Sequence, residues 1–299
     1  MISSKALSEL QVIGVRYRGS RPAQNDERAL NAYAASKVYE AGNVPYDIIE
    51  PTWPEDMRSE IETDNLGLFG GSIAEAVAAA RSAGKAVLMT GGDCSHITGV
   101  LGGLQDAHGA HACIGLVWFD AHGDFNTPKT TLSGMLGGMP VAVCAGLAFP
   151  KWREGSHIAA PLPTDRILMV DVRNLDPPEA QLIGATDITI AAVADGFPGE
   201  NLDKAVAELA GHVDYIYLHI DSDILDEAFV PNHGTVEPNG PDMDQVLGAV
   251  DAVMATGKVV AYAVVSVYGE GDGREVSVAS GIELIRGGLK AWHRYGMPG

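Results

Sequence analysis

Eight short runs rich in β-branched and aromatic residues recur along this chain, at residues 11–17, 46–50, 86–90, 114–119, 166–170, 187–190, 215–220 and 259–267. They are apolar almost throughout, and that property restricts the fold more than any other. A strand with one face in water alternates apolar and polar residues, whereas a strand without alternation is buried on both faces. Between the runs lie Ala- and Leu-rich stretches with helical spacing, such as 72–83, 202–209 and 243–256. Repetition of this kind predicts βαβ units: an α/β fold with a parallel sheet covered by helices on both sides. No low-complexity linker, fixed-period repeat or break in composition divides the sequence, so residues 1–299 are expected to form a single domain. Sheets of this type bind ligands beyond the carboxyl ends of their strands.

The 299 residues are 46% hydrophobic and carry a formal net charge of −19. The apolar content suffices for a large core. The excess of acid argues against nucleic acid as a partner, because binding it requires Lys and Arg against phosphate. Cys94, Cys113 and Cys144 form an odd set without framework spacing, which predicts free thiols and a reducing, cytoplasmic setting. The first residues lack the cationic and then apolar pattern of a secretory leader. No run reaches the roughly 18 apolar residues of a membrane helix, so no membrane partner is expected. The stretch PTWPEDMRSE (51–60) reads as a loop that could border a site.

Three strand ends carry unusual residues: GGDCSH (91–96), DAHGD (120–124) and HIDSDILD (219–226). In extended chain, side chains at i, i+2 and i+4 point the same way. Asp120, His122 and Asp124 are therefore expected to converge, as are His219, Asp221 and Asp223. Carboxylates crowded beside a core repel and raise one another's pKa, and divalent cations relieve that conflict. A carboxylate–imidazole set suits Mn, Fe or Zn, and shared oxygens suit two ions about 3.5–4 Å apart. One DxHxD alone is weak evidence; a second DxD after a second buried run is what makes the pattern specific.

Together these blocks resemble the ureohydrolase family of arginases, agmatinases and their relatives. That family's pattern is a GGDHS-type turn, a DAHxD block and an SxDxDxxDP block; here they read GGDCS, DAHGD and HIDSDILDE. The resemblance implies a three-layer α/β/α domain with a parallel sheet of about eight strands, usually assembled as a trimer or hexamer. It also implies two Mn2+ ions per chain, with a bridging hydroxide that attacks the carbon of a guanidino or amidino substrate. Carried over by position, Asp120 and Asp221 would bridge the ions. Asp124 would complete one ion's shell at the reacting centre, while His122 and Asp223 would serve the other ion. DFNTPKTTLSG (124–134) matches a DxNTxxTTxSG pattern that binds the α-carboxylate in arginases, which implies substrate contacts from Asn126, Thr131 and Ser133. RNLDPPE (173–179) is similar to the family's RDVDPGE-like segment at the α-amino group; it keeps Asp176 and Glu179 but has Asn174 in place of an Asp.

The departures bear on which reaction is run. Cys94 stands where the family has a ligating His. As a thiolate it would ligate and favour Zn or Fe over Mn; as a neutral thiol it would leave the first ion weakly held. His96 is the other nitrogen nearby, although helical geometry would turn it away. Gly137 replaces a His of proton transfer, and Ser266 replaces a Glu that pairs with the guanidinium. His219 and His233 are candidate replacement proton carriers, because imidazole titrates near neutrality. Glu270 and Asp272 form a polar loop that either reaches substrate or is merely solvated. The leading expectation is a metal-dependent hydrolase of a linear C–N bond in a guanidino or amidino compound, such as an N-hydroxylated arginine. The alternatives are a hydrolase of another amidine or formimino substrate, and a non-catalytic protein with an incomplete metal site.

Overall fold

The computed structural model describes residues 4–53 and 55–298, with the side chain of Glu55 left out. The segment 51–60 thus includes Pro54, which lies outside the described residues. Among the described residues, the central sheet has eight strands: β1 (Leu10–Val15), β2 (Tyr46–Ile49), β3 (Ala86–Gly91), β4 (Ile114–Phe119), β5 (Ile167–Val170), β6 (Thr189–Ala191), β7 (Tyr215–Asp221) and β8 (Val259–Val265). All pairings are parallel, in the order β2-β1-β3-β8-β7-β4-β5-β6. The helices are α1 (Leu30–Ser36), α2 (Glu62–Ser82), α3 (Ile97–His108), α4 (Pro140–Cys144), α5 (Pro150–Gly155), α6 (Pro177–Gly184), α7 (Leu202–His212), α8 (Met243–Met254) and α9 (Arg274–Tyr295). No helix among them is long and apolar enough to cross a membrane.

Both faces of the sheet are covered, as the unbroken apolar runs predict. Along β4, Val117 and Phe119 enter a core with Leu209 of α7, Val253 of α8 and Leu284 of α9. Leu116 and Trp118 enter a second core with Phe69 of α2, Val100 of α3 and Trp152 of α5. A period of two in side-chain direction thus fills two helical layers at once. The strand bounds differ from expectation at a few ends. β1 stops at Val15 because Tyr17–Arg18 folds back on Arg21–Pro22. β6 lies slightly later than expected. β8 stops at Val265 because Ser266 takes a left-handed φ of 59°, which turns the chain out of the sheet.

The connectivity places the chemistry. β3 and β4 are consecutive along the chain yet separated in the sheet, and β8 and β7 later fill the gap between them. The register sets Ile220 beside Phe119 and Asp221 beside Val265. The carboxyl ends of β3, β8, β7 and β4 therefore form one row, at the kind of switch in strand order where α/β sheets bind ligands.

The helix that follows the β3 turn is seated by glycines. A Cβ at Gly102 of α3 would stand 1.8 Å from the Ser156 carbonyl oxygen, and one at Gly99 would stand 2.5 Å from that of Gly70 in α2. In contrast, a Cβ at Gly248, exposed on α8, meets nothing within 4 Å. We expect Gly102→Ala to lower stability by about 1–3 kcal/mol, because backbone cannot yield as a side chain can. Gly248→Ala should raise stability by up to about 1 kcal/mol through helix propensity. Thermal unfolding of the two variants checks this pair, and a Gly102→Ala protein as stable as its parent would refute the packing argument.

Candidate metal centre

The site is assembled from three strand ends. After β3, Gly91 and Gly92 turn the chain at φ values of 72° and 67°, which glycine adopts without a Cβ penalty. Asp93 then caps the short helical turn Cys94–His96 by accepting from the Ser95 N–H. This geometry points the Cys94 thiol into the site. His96 is turned away: its Nδ1 accepts from the Asp93 N–H and its Nε2 donates to the Gly19 carbonyl. After β4, the His122 N–H donates to Asp120 Oδ1 at 2.6 Å. Asp221 ends β7, and Asp223 lies in the helical turn Ser222–Ile224 with its N–H on Asp221 Oδ1 at 3.0 Å.

The expected extended fans are therefore only partly formed. Residues 120–124 leave the strand, and Asp124 has a left-handed φ of 45°. The side chains gather through Asp turns, in which a carboxylate binds the backbone two residues on, rather than through alternation along a strand.

Three interlocking donor triads result: Cys94, Asp120 and Asp221; Asp120, His122 and Asp223; and Asp221, Asp223 and His233, each with its ligand atoms within 4.8 Å of one another. Cys94 Sγ lies 2.9 Å from Asp221 Oδ2 and 3.6 Å from Asp120 Oδ2. His122 Nδ1 is 3.2 Å from Asp120 Oδ1 and 3.3 Å from Asp223 Oδ2. His233 Nε2 is 3.3 Å from Asp221 Oδ1, and its Nδ1 is 3.5 Å from Asp223 Oδ2. Asp124 is buried beside them and enters none of the three triads.

The electrostatics show the strain of this crowding. Burial lifts the Asp120 carboxyl well above the usual carboxylate range, and Asp223 and Asp124 lift it further. Asp124 is raised in the same way, by burial and then by Asp221 and Asp223 against the pull of His122. Burial and then Asp221, Asp124 and Asp120 push the Cys94 thiol up, and it donates to Asp221. Burial disfavours charge on His122, but Asp120 and Asp223 outweigh it and carry the imidazole to about 12. Asp221 is held low despite burial, chiefly by His233. The cluster therefore holds Cys94 as a thiol and His122 as an imidazolium near neutral pH, and divalent cations would displace those protons. This donor set fits such ions.

The remaining predicted residues fall into separate places. His219 is fully buried behind Cys94, stacked on Trp118 with ring centroids 4.4 Å apart. Its Nε2 is 3.7 Å from Cys94 Sγ and its Nδ1 is 2.8 Å from the Tyr217 hydroxyl. Burial lowers its pKa to about 3. The loop after β4 carries Asn126, whose Nδ2 donates to Asp176 Oδ2 at 3.2 Å, while Asp176 also accepts from the Leu132 N–H. Thr131 and Ser133 accept from the Gly134 and Met135 N–H groups on that loop. Glu179 points inward and accepts from the Phe125 N–H at 2.8 Å, bracing the turn below the loop. Ser266 is buried at the end of β8 with its N–H on the Gly92 carbonyl. Gly137 is half-buried on the loop. Glu270 accepts from the Asp26 N–H, and Asp272 is exposed.

Sequence reasoning passed over Thr235, whose hydroxyl donates to Asp223 Oδ2 at 2.8 Å; Tyr268, edge-on to His233; and Glu237, 3.2 Å from His122 Nε2. All three lie in irregular loops, and no local spacing marks them.

Stability should report the cations directly. Above about 7.5, His219 and His108, both with lowered pKa values, are neutral whether folded or unfolded and add no further pH dependence. His122, raised from its ordinary value to about 12 in the folded state, loses stability as pH rises through this range, so chelated protein should show a Tm that falls from about pH 7.5 to 9. Divalent metal at 100 times its Kd should raise Tm by about 5 °C or more at pH 8. Scanning calorimetry with and without chelator decides this; identical curves would remove the cations from the account.

A profile of the arginase family matches residues 13–288. The arginase of Entamoeba histolytica is 30% identical over 215 residues, spanning 67% of this chain and 68% of that protein. The Neurospora crassa arginase is 30% identical over 208 residues, 65% of this chain and 56% of its own. The chain spans only about half the length of that relative and of the Bacillus caldovelox arginase, where the match covers 51% of the protein. In solved structures, the fold is shared with the Entamoeba histolytica arginase in complex with L-ornithine, at a TM-score of 0.81, 21% identity and coverage of 95% and 99% of the two chains. It is also shared with the Bacillus subtilis formimidoylglutamase, at a TM-score of 0.69, 15% identity and coverage of 97% and 89%. With the three strand-end blocks and the sheet order, the match over residues 13–288 places this chain in the arginase family.

Proposed function

We propose that this chain is a metal-dependent hydrolase of a linear C–N bond in a guanidino or amidino compound, most simply an arginine derivative such as an N-hydroxy-arginine. The observation that carries the reading is the interlocking of the triads, because Asp120, Asp221 and Asp223 each belong to two of them. Cys94, Asp120, Asp124 and Asp221 would hold one ion, and Asp120, His122, Asp221 and Asp223 the other. Mn2+ is the expected metal, with Zn or Fe favoured at the first position to the extent that Cys94 ligates as a thiolate. Bound ions of this kind lower the pKa of water and so supply a nucleophile near neutral pH.

The chain's own residues supply orientation and protons. His233 Nδ1 accepts from the Thr235 N–H, so in the neutral ring the proton rests on Nε2. That atom is buried without a hydrogen-bond partner, 3.3 Å from Asp221 Oδ1. In this reading Nε2 delivers a proton at the Asp221 edge of the site, a task for which Gly137 has no side chain. Asp176 offers an anion to an α-ammonium group, and Asn126, Thr131 and Ser133 offer polar groups around an α-carboxylate. Ser266 brings no charge where the family pattern has a Glu, which favours a guanidine less basic than that of arginine. The substrate is a small molecule, and a homo-oligomeric trimer or hexamer in the cytoplasm fits this reading.

Two measurements test it. Asn126→Ala and Asp176→Ala should lower kcat/KM for an α-amino-acid guanidine on the order of 10- to 100-fold each, and leave a guanidine lacking that group unaffected. Equal turnover of both substrates in these variants would exclude an amino-acid substrate. His233→Asn should lower kcat by about 100-fold or more with metal content unchanged; full activity would assign the proton elsewhere.

A further inference from the structure

His122 has two ring nitrogens with opposite surroundings. Nδ1 faces the site, between Asp120 Oδ1 and Asp223 Oδ2. Nε2 faces away from them and meets Glu237 Oε1 at 3.2 Å. A ring that offers its Nδ1 lone pair to a cation carries its proton on Nε2, and that proton requires an acceptor. Where a carboxylate is the acceptor, it fixes both the tautomer and the ring plane and strengthens the ligand.

The acid that does this is itself held from several directions. Asn174 Nδ2 donates to the same Glu237 Oε1 at 2.5 Å, and the backbone of Asn174 is bridged to that of His122. Arg173 donates through Nη2 to the Glu237 carbonyl at 3.1 Å and to the Asp223 carbonyl at 3.1 Å, and through Nη1 to the Ile224 carbonyl at 3.0 Å. One guanidinium therefore ties the backbone of Glu237 to the backbone of Asp223, which itself lies 3.3 Å from His122 Nδ1 through its carboxylate. Asn174 occupies a position where the resembling RDVDPGE segment carries an acid; here it is neutral and acts as a donor to an acid contributed from elsewhere.

We propose that Glu237 is the positioning residue of the second metal position, orienting His122 through Nε2, with Asn174 and Arg173 fixing Glu237 in turn. The inference rests on the two-metal reading above. It assigns a role to a residue 115 positions from its partner, in a loop that no ligand motif includes.

The test is Mn2+ titration of chelated protein, following free Mn2+ by electron paramagnetic resonance, for the parent, Glu237→Gln and Glu237→Ala. We expect the parent to hold two ions. Glu237→Ala should weaken one of them by about 10- to 100-fold, while the other ion and the Tm of the chelated protein stay unchanged. Glu237→Gln keeps an amide oxygen facing Nε2 and should lose less. Two ions held as tightly by Glu237→Ala as by the parent would overturn the inference and leave the two-metal reading intact. Loss of both ions together with a lower chelated Tm would also overturn it, by showing that Glu237 merely supports the loop. A parent that holds no ion would overturn the two-metal reading and this inference together.

Discussion

Four aspartates buried side by side, with no Lys or Arg among their ion-pair partners in the described residues, need protons, imidazolium charge or bound cations to offset their repulsion. Asp120, Asp124, Asp221 and Asp223 meet at the carboxyl ends of β4 and β7, and the ion pairs to Asp120, Asp221 and Asp223 come from the imidazoles of His122 and His233. In a low-dielectric setting this repulsion costs more than local hydrogen bonds return. The neighbouring structure is arranged around it: glycine turns that let Cys94 approach, Asp turns that satisfy backbone N–H groups, and a rigid two-layer cover that keeps the donors from separating. The sheet supplies the precision, because strand ends in a packed parallel sheet have little freedom to move.

The departures from the family pattern look less like losses once the geometry is known. The leading His is replaced by Cys94, and His219 of β7 then stands against the thiol, its Nε2 3.7 Å from Sγ. The proton-transfer His is replaced by Gly137, and His233 presents a bare Nε2 to Asp221. An acid is replaced by Asn174, and Glu237 reaches His122 from another loop. At each of these three positions another titratable side chain stands within 4 Å of the neighbouring group: His219 of Cys94, His233 of Asp221 and Glu237 of His122. Ser266 is different: among the described residues no acid contacts it, and the buried Arg28 donates to the same Gly92 carbonyl as the Ser266 N–H.

The parallel sheet and its two helical layers were legible from periodicity, because burial on both faces leaves a mark on every residue of a strand. The location of the site was legible too, since ionisable residues beside apolar runs stand out wherever a strand ends. Local geometry was less so. Extended alternation was the natural reading of residues 120–124, and the left-handed φ of Asp124 with the Asp120 turn replaced it. A carboxylate two residues before a free N–H competes with strand geometry once the ladder ends, and nothing in the spacing shows where it ends. Glu179 on α6 faces inward and accepts from the Phe125 N–H, a contact that the spacing of its own segment does not show.

The sequence by itself determined what depends on neighbours a few residues apart: strand and helix periods, the Asp-x-His and Asp-x-Asp pairs, and the glycine turn before Cys94. Only the tertiary structure decided which of these meet. Cys94 and Asp221 are 127 residues apart in the chain, and His122 and Glu237 are 115 apart. Such contacts depend on the order in which strands enter the sheet and on the paths of loops between them. Those are set by packing of the whole chain, and side-chain spacing within any one segment carries no record of them.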